Sequence, residues 1–251
     1  MLAVDYSLAP ENKFPAALEE CYAVLFQLNK YQEDWMTGTG QFANQAAVDI
    51  SKIVLAGVGS GGNLAISSFL LWHDRSLDNE ITPRTTAYHQ HPTHFFHEKS
   101  SLEFKRLLLV HPDLFNIKDD SAELLKNEEN LFINEDIMAQ YQKFYLGFHK
   151  KNETLWQDFK ERRKFHPYIC ATAYDRLDSS VFSRVYFVAA LNTLLHRDSS
   201  ELNQMLNEDY NVTSGMYLMM LTPTGLLSTG VRRLTDLYFL NIQLATELSE
   251  I

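Results

Sequence analysis

The sequence has few cysteines and few clustered basic residues. Only two cysteines, Cys21 and Cys170, occur among 251 residues. This is too few for a disulfide scaffold or a cysteine-based zinc site, although one bridge between them stays open. The single basic cluster, residues 160–164, is interrupted by Glu161, and the formal net charge is −10. Since a negative protein repels phosphate backbones, the charge excludes nucleic acid as a partner.

Long apolar runs are missing as well. An uncharged stretch at residues 212–231 is only half apolar and contains Pro223, so no membrane span is predicted. No basic region or small-residue cleavage site accompanies the first apolar residues, so no signal peptide is predicted. The sequons Asn152-Glu-Thr and Asn211-Val-Thr keep a secretory location open, and the compartment stays undetermined.

Short apolar runs and helical patterns alternate along the first part of the chain. The run Leu2–Tyr6 predicts a strand, and apolar residues at helical spacing after Pro15 predict a helix with one buried face. The sequence KIVLAG, residues 52–57, has the composition of a buried parallel strand, and residues 63–72 predict a helix soon after it. This alternation favours a three-layer α/β sandwich with a mainly parallel sheet.

The second part continues the alternation less regularly. Residues 106–110 and 215–222 predict two further strands, and residues 119–165 predict a helical region that includes an amphipathic stretch at 134–148. The chain closes with a predicted helix at residues 231–248. No internal repeat or linker interrupts residues 1–251, which predicts a single domain.

The most informative segment is the glycine-rich turn GVGSGGN at residues 57–63. Gly57, Gly59 and Gly62 satisfy G-x-G-x-x-G, a pattern whose backbone N–H groups cradle the pyrophosphate of a dinucleotide cofactor. An oxidoreductase of that kind needs an acid at the end of a following strand, whereas residues 73–83 offer acids without an apolar run. The same turn is typical of a nucleophile elbow, a strained strand-to-helix turn with small residues two positions on either side of its apex.

The sequence around the turn resembles one family of esterases. VDYSLAPENKFPAALEE, ISKIVLAG and GGNLA follow one another as in carboxylesterases related to hormone-sensitive lipase and arylacetamide deacetylase, where the blocks commonly read VDYRLAPE, FPAALED and GDSAGGN. The resemblance is close over residues 2–70 and fainter over 105–114, 131–147 and 217–227, while residues 171–216 match no part of the pattern. It implies an α/β-hydrolase fold without its N-terminal strands, a cap-proximal region at 119–165, and descent from carboxylic-ester hydrolases of the lipase and esterase type.

The resemblance leaves the nucleophile missing. Laying the turn on AGDSAGGNLA puts Val58 at the aspartate and Gly59 at the nucleophilic serine, so the predicted apex has no hydroxyl. Ser60 becomes catalytic only if the turn slips by one residue, which places the bulky Val58 two positions before the nucleophile. The predicted elbow residues are Gly57, Gly59, Ser60, Gly61 and Gly62.

The remaining parts of the family's machinery are absent too. No H-G-G-G segment, which would contribute to the oxyanion hole, precedes the VDYSLAPE block. The turn TPTGLLSTG after the late strand has no carboxylate to serve as the triad acid. The chain closes with a predicted helix where the triad histidine is expected. We therefore expect a catalytically deficient protein that uses no cofactor and no metal. Its expected ligand is a small apolar ester or acyl molecule. An active esterase and a non-catalytic acyl-binding or protein-binding pseudo-enzyme stay open as alternatives, with a dinucleotide-binding oxidoreductase as the third.

Several polar residues have simpler interpretations than catalysis. The histidines at 89, 91, 94 and 97 could chelate a transition metal, but a solvated insertion is favoured because no carboxylate or cysteine completes the shell. His111 ends a strand at the sheet edge where α/β folds place their sites, and a packing role is favoured for it. His166-Pro167 resembles the family's Ser-Pro turn, and Ser7 replaces the arginine of the VDYRLAPE block.

The predicted first strand has no neighbour in this sequence. Without the strands that precede it in the family, Leu2–Tyr6 exposes an apolar sheet edge. Either a protein partner covers that edge or the sequence is incomplete upstream.

Overall fold

The computed structural model describes residues 1–40, 47–77, 102–115, 135–148, 154, 156, 168–174, 184–190, 194–210 and 212–219. Within these residues a single sheet contains four strands, which are β1 (Ile53–Val58), β2 (Phe104–Val110), β3 (Val185–Ala190) and β4 (Ser214–Met219). The strands lie side by side in chain order and every pairing is parallel. The predicted α/β class with a parallel sheet is confirmed, and no described strand precedes β1.

Helices flank this sheet. They are α1 (Ala16–Lys30), α2 (Gln32–Thr37), α3 (Ser60–Leu77), α4 (Glu135–Leu146) and α5 (Leu194–Glu208), together with a 3₁₀ turn at Ala171–Ala173. Because parallel crossovers are right-handed and the strands advance in one direction, α3 and α5 are expected on the same face of the sheet. Ile66 of α3 and Leu202 of α5 indeed belong to one buried cluster.

The core follows from the apolar runs of the strands. Leu107 and Leu109 of β2 and Phe187 of β3 are at most 1% exposed and join the cluster beneath α3 and α5. A second cluster packs α1 against α3 through Tyr22 and Leu71. The helix after Pro15 and its buried face are therefore as predicted.

Strand β3 was not predicted. Its sequence VYFVAA is a continuous apolar run, and such runs are typical of parallel strands that are covered on both faces. This run lies within residues 171–216, which do not resemble the esterase family. The consequence is that the predicted strand at 215–222, observed as β4, pairs with β3 and does not lie next to β2.

The predicted strand Leu2–Tyr6 is wrong, since residues 1–8 have no regular secondary structure. No described strand pairs with them. The segment is held instead at Ser7, whose backbone N–H and hydroxyl both donate to the carboxylate of Glu20 in α1, at 2.7 and 2.6 Å. These hydrogen bonds lower the pKa of Glu20.

The bridge that the sequence left open does not form. Cys21 and Cys170 are both free thiols. Burial, followed by the charge of Glu20, raises the pKa of Cys21 to about 11.

Several predictions fall outside the described residues. These are the histidines at 89–97, the His166-Pro167 turn, the closing helix at 231–248 and most of the cap-proximal region. Within that region α4 confirms a helix over the amphipathic stretch. No helix in the described part of the chain is long and apolar enough to cross a membrane.

Candidate functional site

A sharp turn joins β1 to α3. The strand ends at Val58, the helix begins at Ser60, and Gly59 between them has φ +58. The Gly59 N–H donates to the Val110 carbonyl at 2.9 Å, and the Gly59 carbonyl accepts from the Asp113 N–H at 3.2 Å. The turn is therefore fixed to the end of β2 as well as to its own helix.

The glycines of the turn differ in the space around them. A Cβ on Gly57 would lie 2.0 Å from the Gly61 carbonyl oxygen, and one on Gly62 would lie 2.9 Å from the Pro112 Cβ. A Cβ on Gly59 would meet no atom of the described residues within 4 Å, its two chain neighbours apart. Gly57 and Gly62 thus have no room for a side chain, whereas Gly59 and Gly61 have room among the described residues.

Ser60 is exposed at the start of α3. Its Oγ lies 3.1 Å from the Tyr6 hydroxyl, which belongs to the irregular N-terminal segment. The ring of Tyr6 packs against the cluster between α1 and α3. This contact joins residues 54 positions apart, and local spacing contains no signal that would have predicted it.

His111 follows β2 beside the turn. It is only 4% exposed, its backbone has φ +48, and its N–H donates to the Val188 carbonyl at 2.8 Å. Burial, with a smaller contribution from His196, lowers the pKa of His111 to about 4. The imidazole is therefore neutral at neutral pH. His196 lies in α5, and burial lowers its pKa too.

Helix α4 reaches the same end of the sheet. Gln142 donates to Asp113 Oδ1 at 3.3 Å, and the Tyr145 ring lies 5.7 Å from that of Phe14 and 5.9 Å from that of Phe115. Burial raises the pKa of the Tyr145 hydroxyl, assisted by Cys21, Tyr6 and Asp113. This hydroxyl therefore stays protonated.

The structure brings the predicted turn residues together with His111, and it adds Tyr6 and Tyr145, which the sequence did not single out. Ser7 lies apart from them, on Glu20 of α1. Among the residues that the structure describes, no group of three histidine, cysteine or acidic side chains could hold a metal ion.

Comparison with known proteins gives consistent matches. A family model described as alpha/beta hydrolase fold matches residues 1–218. An arylesterase of Saccharolobus solfataricus is 34% identical over 77 residues, which cover 31% of this chain and 22% of that protein.

Solved structures agree in fold. An esterase of Pyrobaculum calidifontis superposes with a TM-score of 0.56 at 21% identity, over 88% of this chain and 57% of the other. A hormone-sensitive lipase from a metagenome library superposes with a TM-score of 0.55 at 19% identity, over 85% of this chain and 54% of the other. The chain thus spans little more than half the length of these two structures.

Proposed function

Because the chain belongs to the α/β-hydrolase fold family, we propose that it binds a small apolar ester or acyl ligand at the turn between β1 and α3 without hydrolysing it. The observation that carries this proposal is Gly59. In a nucleophile elbow the attacking residue stands on the strained turn between strand and helix, and here the residue with φ +58 is a glycine. It has no oxygen with which to attack.

The lack of space for a side chain at Gly57 supports this assignment of the apex. An elbow needs small residues two positions before and after the nucleophile. Gly57 and Gly61 stand at those positions around Gly59, and a Cβ on Gly57 would overlap the Gly61 backbone. If Ser60 were the apex, Val58 would have to occupy the position of close contact.

The order of the late strands supports the loss of the acid and the base. In the family the acid lies in a D-P-L turn after a late strand. Because β3 rather than β4 lies next to β2, the expected place of the acid moves from the turn TPTGLLSTG to the residues after β3. Those residues read Asn192-Thr193-Leu194, with an amide in place of the acid. The strand β4 is followed by no histidine in this sequence, since all nine histidines stand at or before His196.

A slipped but active turn is the second candidate, because the Ser60 hydroxyl is exposed and hydrogen-bonded to Tyr6. A tyrosine hydroxyl is not the imidazole base that usually activates a serine nucleophile. Ser60 also begins the helix rather than occupying the turn. No hydrogen bond or contact described at the turn favours the interpretation as a dinucleotide-binding site.

Hydrolysis of p-nitrophenyl butyrate separates these candidates. We expect the chain, its Ser60→Ala variant and its Gly59→Ser variant to release p-nitrophenol no faster than buffer, because a serine without a base is not activated. Calorimetric titration with ethyl butyrate is expected to show saturable binding. Turnover that disappears in Ser60→Ala would establish the slipped turn, and a chain that binds no ethyl butyrate would contradict the proposal.

A further inference from the structure

The hydroxyls of Tyr6 and Ser60 meet on the open side of the turn. The protein fixes the position of both residues. The Tyr6 ring packs against the cluster of α1 and α3, and Ser60 is the first residue of α3. Their oxygens lie 3.1 Å apart at an exposed position. The pair is therefore a preorganised polar group rather than two mobile surface side chains.

The pair has a hydrogen left to donate. Each hydroxyl carries one hydrogen and accepting lone pairs, and the contact between them uses one of the two hydrogens. The neighbouring apex leaves room for an acceptor, because within the described part of the chain only the two chain neighbours of Gly59 come within 4 Å of where its Cβ would be. The Tyr6 hydroxyl would also be 3.9 Å from a Cβ on Gly61.

The surrounding charge selects the acceptor. The chain has a net charge of −10, and Asp113 is tied to the turn through its N–H to the Gly59 carbonyl. A negative net charge, with a carboxylate on a residue bonded to the turn, disfavours an anionic acceptor. An uncharged carbonyl oxygen fits better than a carboxylate.

We propose that the Tyr6–Ser60 hydroxyl pair donates a hydrogen bond to the carbonyl oxygen of an uncharged acyl ligand such as an ester. This inference rests on the proposed function and names the side chains that recognise its ligand. It assigns a binding role to Ser60 that is independent of nucleophilic attack.

Binding of ethyl butyrate to the parent protein and four variants tests the assignment. Tyr6→Phe and Ser60→Ala are each expected to raise the Kd by about 2- to 10-fold, the usual effect of one neutral hydrogen bond. The double variant is expected to lose less than the product of the two effects, because the hydroxyls act as one unit. Tyr141→Phe removes a hydroxyl from an exposed tyrosine on α4 and should leave the Kd unchanged. Urea unfolding should show similar stability for all four.

Three results overturn the inference or its premise, and they can be told apart. If the chain binds ethyl butyrate but neither Tyr6→Phe nor Ser60→Ala changes the Kd, the hydroxyl pair plays no part and the proposed function stands. Tighter binding of butyrate anion than of ethyl butyrate would overturn the choice of an uncharged ligand. Absence of any binding would remove the premise, since the proposed function would then fail as well.

Discussion

Gly57 and Gly59 stand two residues apart in one turn, yet they are glycines for different physical reasons. Gly57 has no room for a side chain, because its Cβ would overlap the backbone of Gly61. Gly59 has room but adopts φ +58, which disfavours any side chain by about 1–2 kcal/mol. Family enzymes carry a serine in this strained conformation, whereas here both the strain and the hydroxyl are absent.

We therefore expect the two alanine variants to differ in stability. Gly57→Ala should lower the free energy of unfolding by about 3 kcal/mol or more, since backbone must move to admit the methyl group. Gly59→Ala should cost only about 1–2 kcal/mol, the penalty of the left-handed conformation. Urea unfolding monitored by circular dichroism measures both. Equal costs would mean that the turn is not packed as described.

His111 makes stability depend on pH. Its pKa is about 4 in the folded protein and near 6.5 when unfolded, so between these values the unfolded chain binds more protons. The free energy of unfolding should therefore be fully present above pH 6.5 and fall as the pH is lowered towards 4, by at most about 3 kcal/mol from this group.

The variant His111→Asn isolates this contribution, because asparagine tolerates the positive φ of residue 111. We expect a smaller loss of stability between pH 6.5 and 4 than in the parent protein. Urea unfolding at several pH values across this window gives the slope. Identical slopes in the two proteins would show that the His111 imidazole titrates normally.

At the scale of elements, α3 is anchored at both ends to the segment 168–174. Near its start, the Asn63 amide donates to the Ile169 carbonyl at 2.8 Å. Near its end, the buried Asp74 carboxylate accepts from the hydroxyls of Tyr168 at 2.6 Å and Tyr174 at 2.5 Å. Because α3 begins at the turn, these hydrogen bonds to the segment 168–174 also fix the position of the proposed site.

Removing either phenol tests this anchor. Tyr174→Phe should lower the free energy of unfolding by about 1–3 kcal/mol, since Tyr174 is buried and its partner is a carboxylate. Tyr168→Phe should cost less, because Tyr168 is only partly buried. Urea unfolding of both variants and of the double variant gives the coupling through Asp74. No loss in either single variant would contradict the anchor.

At the scale of the whole molecule, β1 is the outermost strand of the described sheet. Residues 1–8 do not pair with it as a strand, and they expose large apolar side chains such as Leu2, Val4 and Leu8. An open edge next to apolar side chains is prone to pairing with another chain. The expected edge at Leu2–Tyr6 is not formed, and a covering polypeptide stays a prediction, now for the edge of β1.

A lysine on β1 should weaken such association, since charges on edge strands block further pairing. Ala56 is exposed on this strand, so Ala56→Lys is expected to shift the chain towards monomer at a given concentration. Gln140→Lys, at an exposed position on α4, adds the same charge away from the edge and serves as the control. Sedimentation velocity at several concentrations measures the distribution. An equal effect of both lysines would attribute the change to net charge alone.

Sequence patterns predicted the elements that surround the turn because their signals are local. The apolar run KIVLAG identified β1, the glycine spacing located the turn, and helical periodicity identified α1 and α3. The apolar run VYFVAA is an equally local indication of strand β3. Leu2–Tyr6 has the composition of a strand but pairs with none of the described strands, and composition cannot show whether a partner strand is present.

The amino-acid sequence by itself determined the fold family and the glycine-rich turn, and it predicts a glycine at the family's nucleophile position, because these patterns need only neighbouring residues. The tertiary structure decided that Tyr6 meets Ser60, that β3 lies between β2 and β4, and that His111 is buried beside the turn. Each of these depends on contacts between residues far apart in the chain, whose geometry is set by sheet order and helix packing rather than by any periodic pattern.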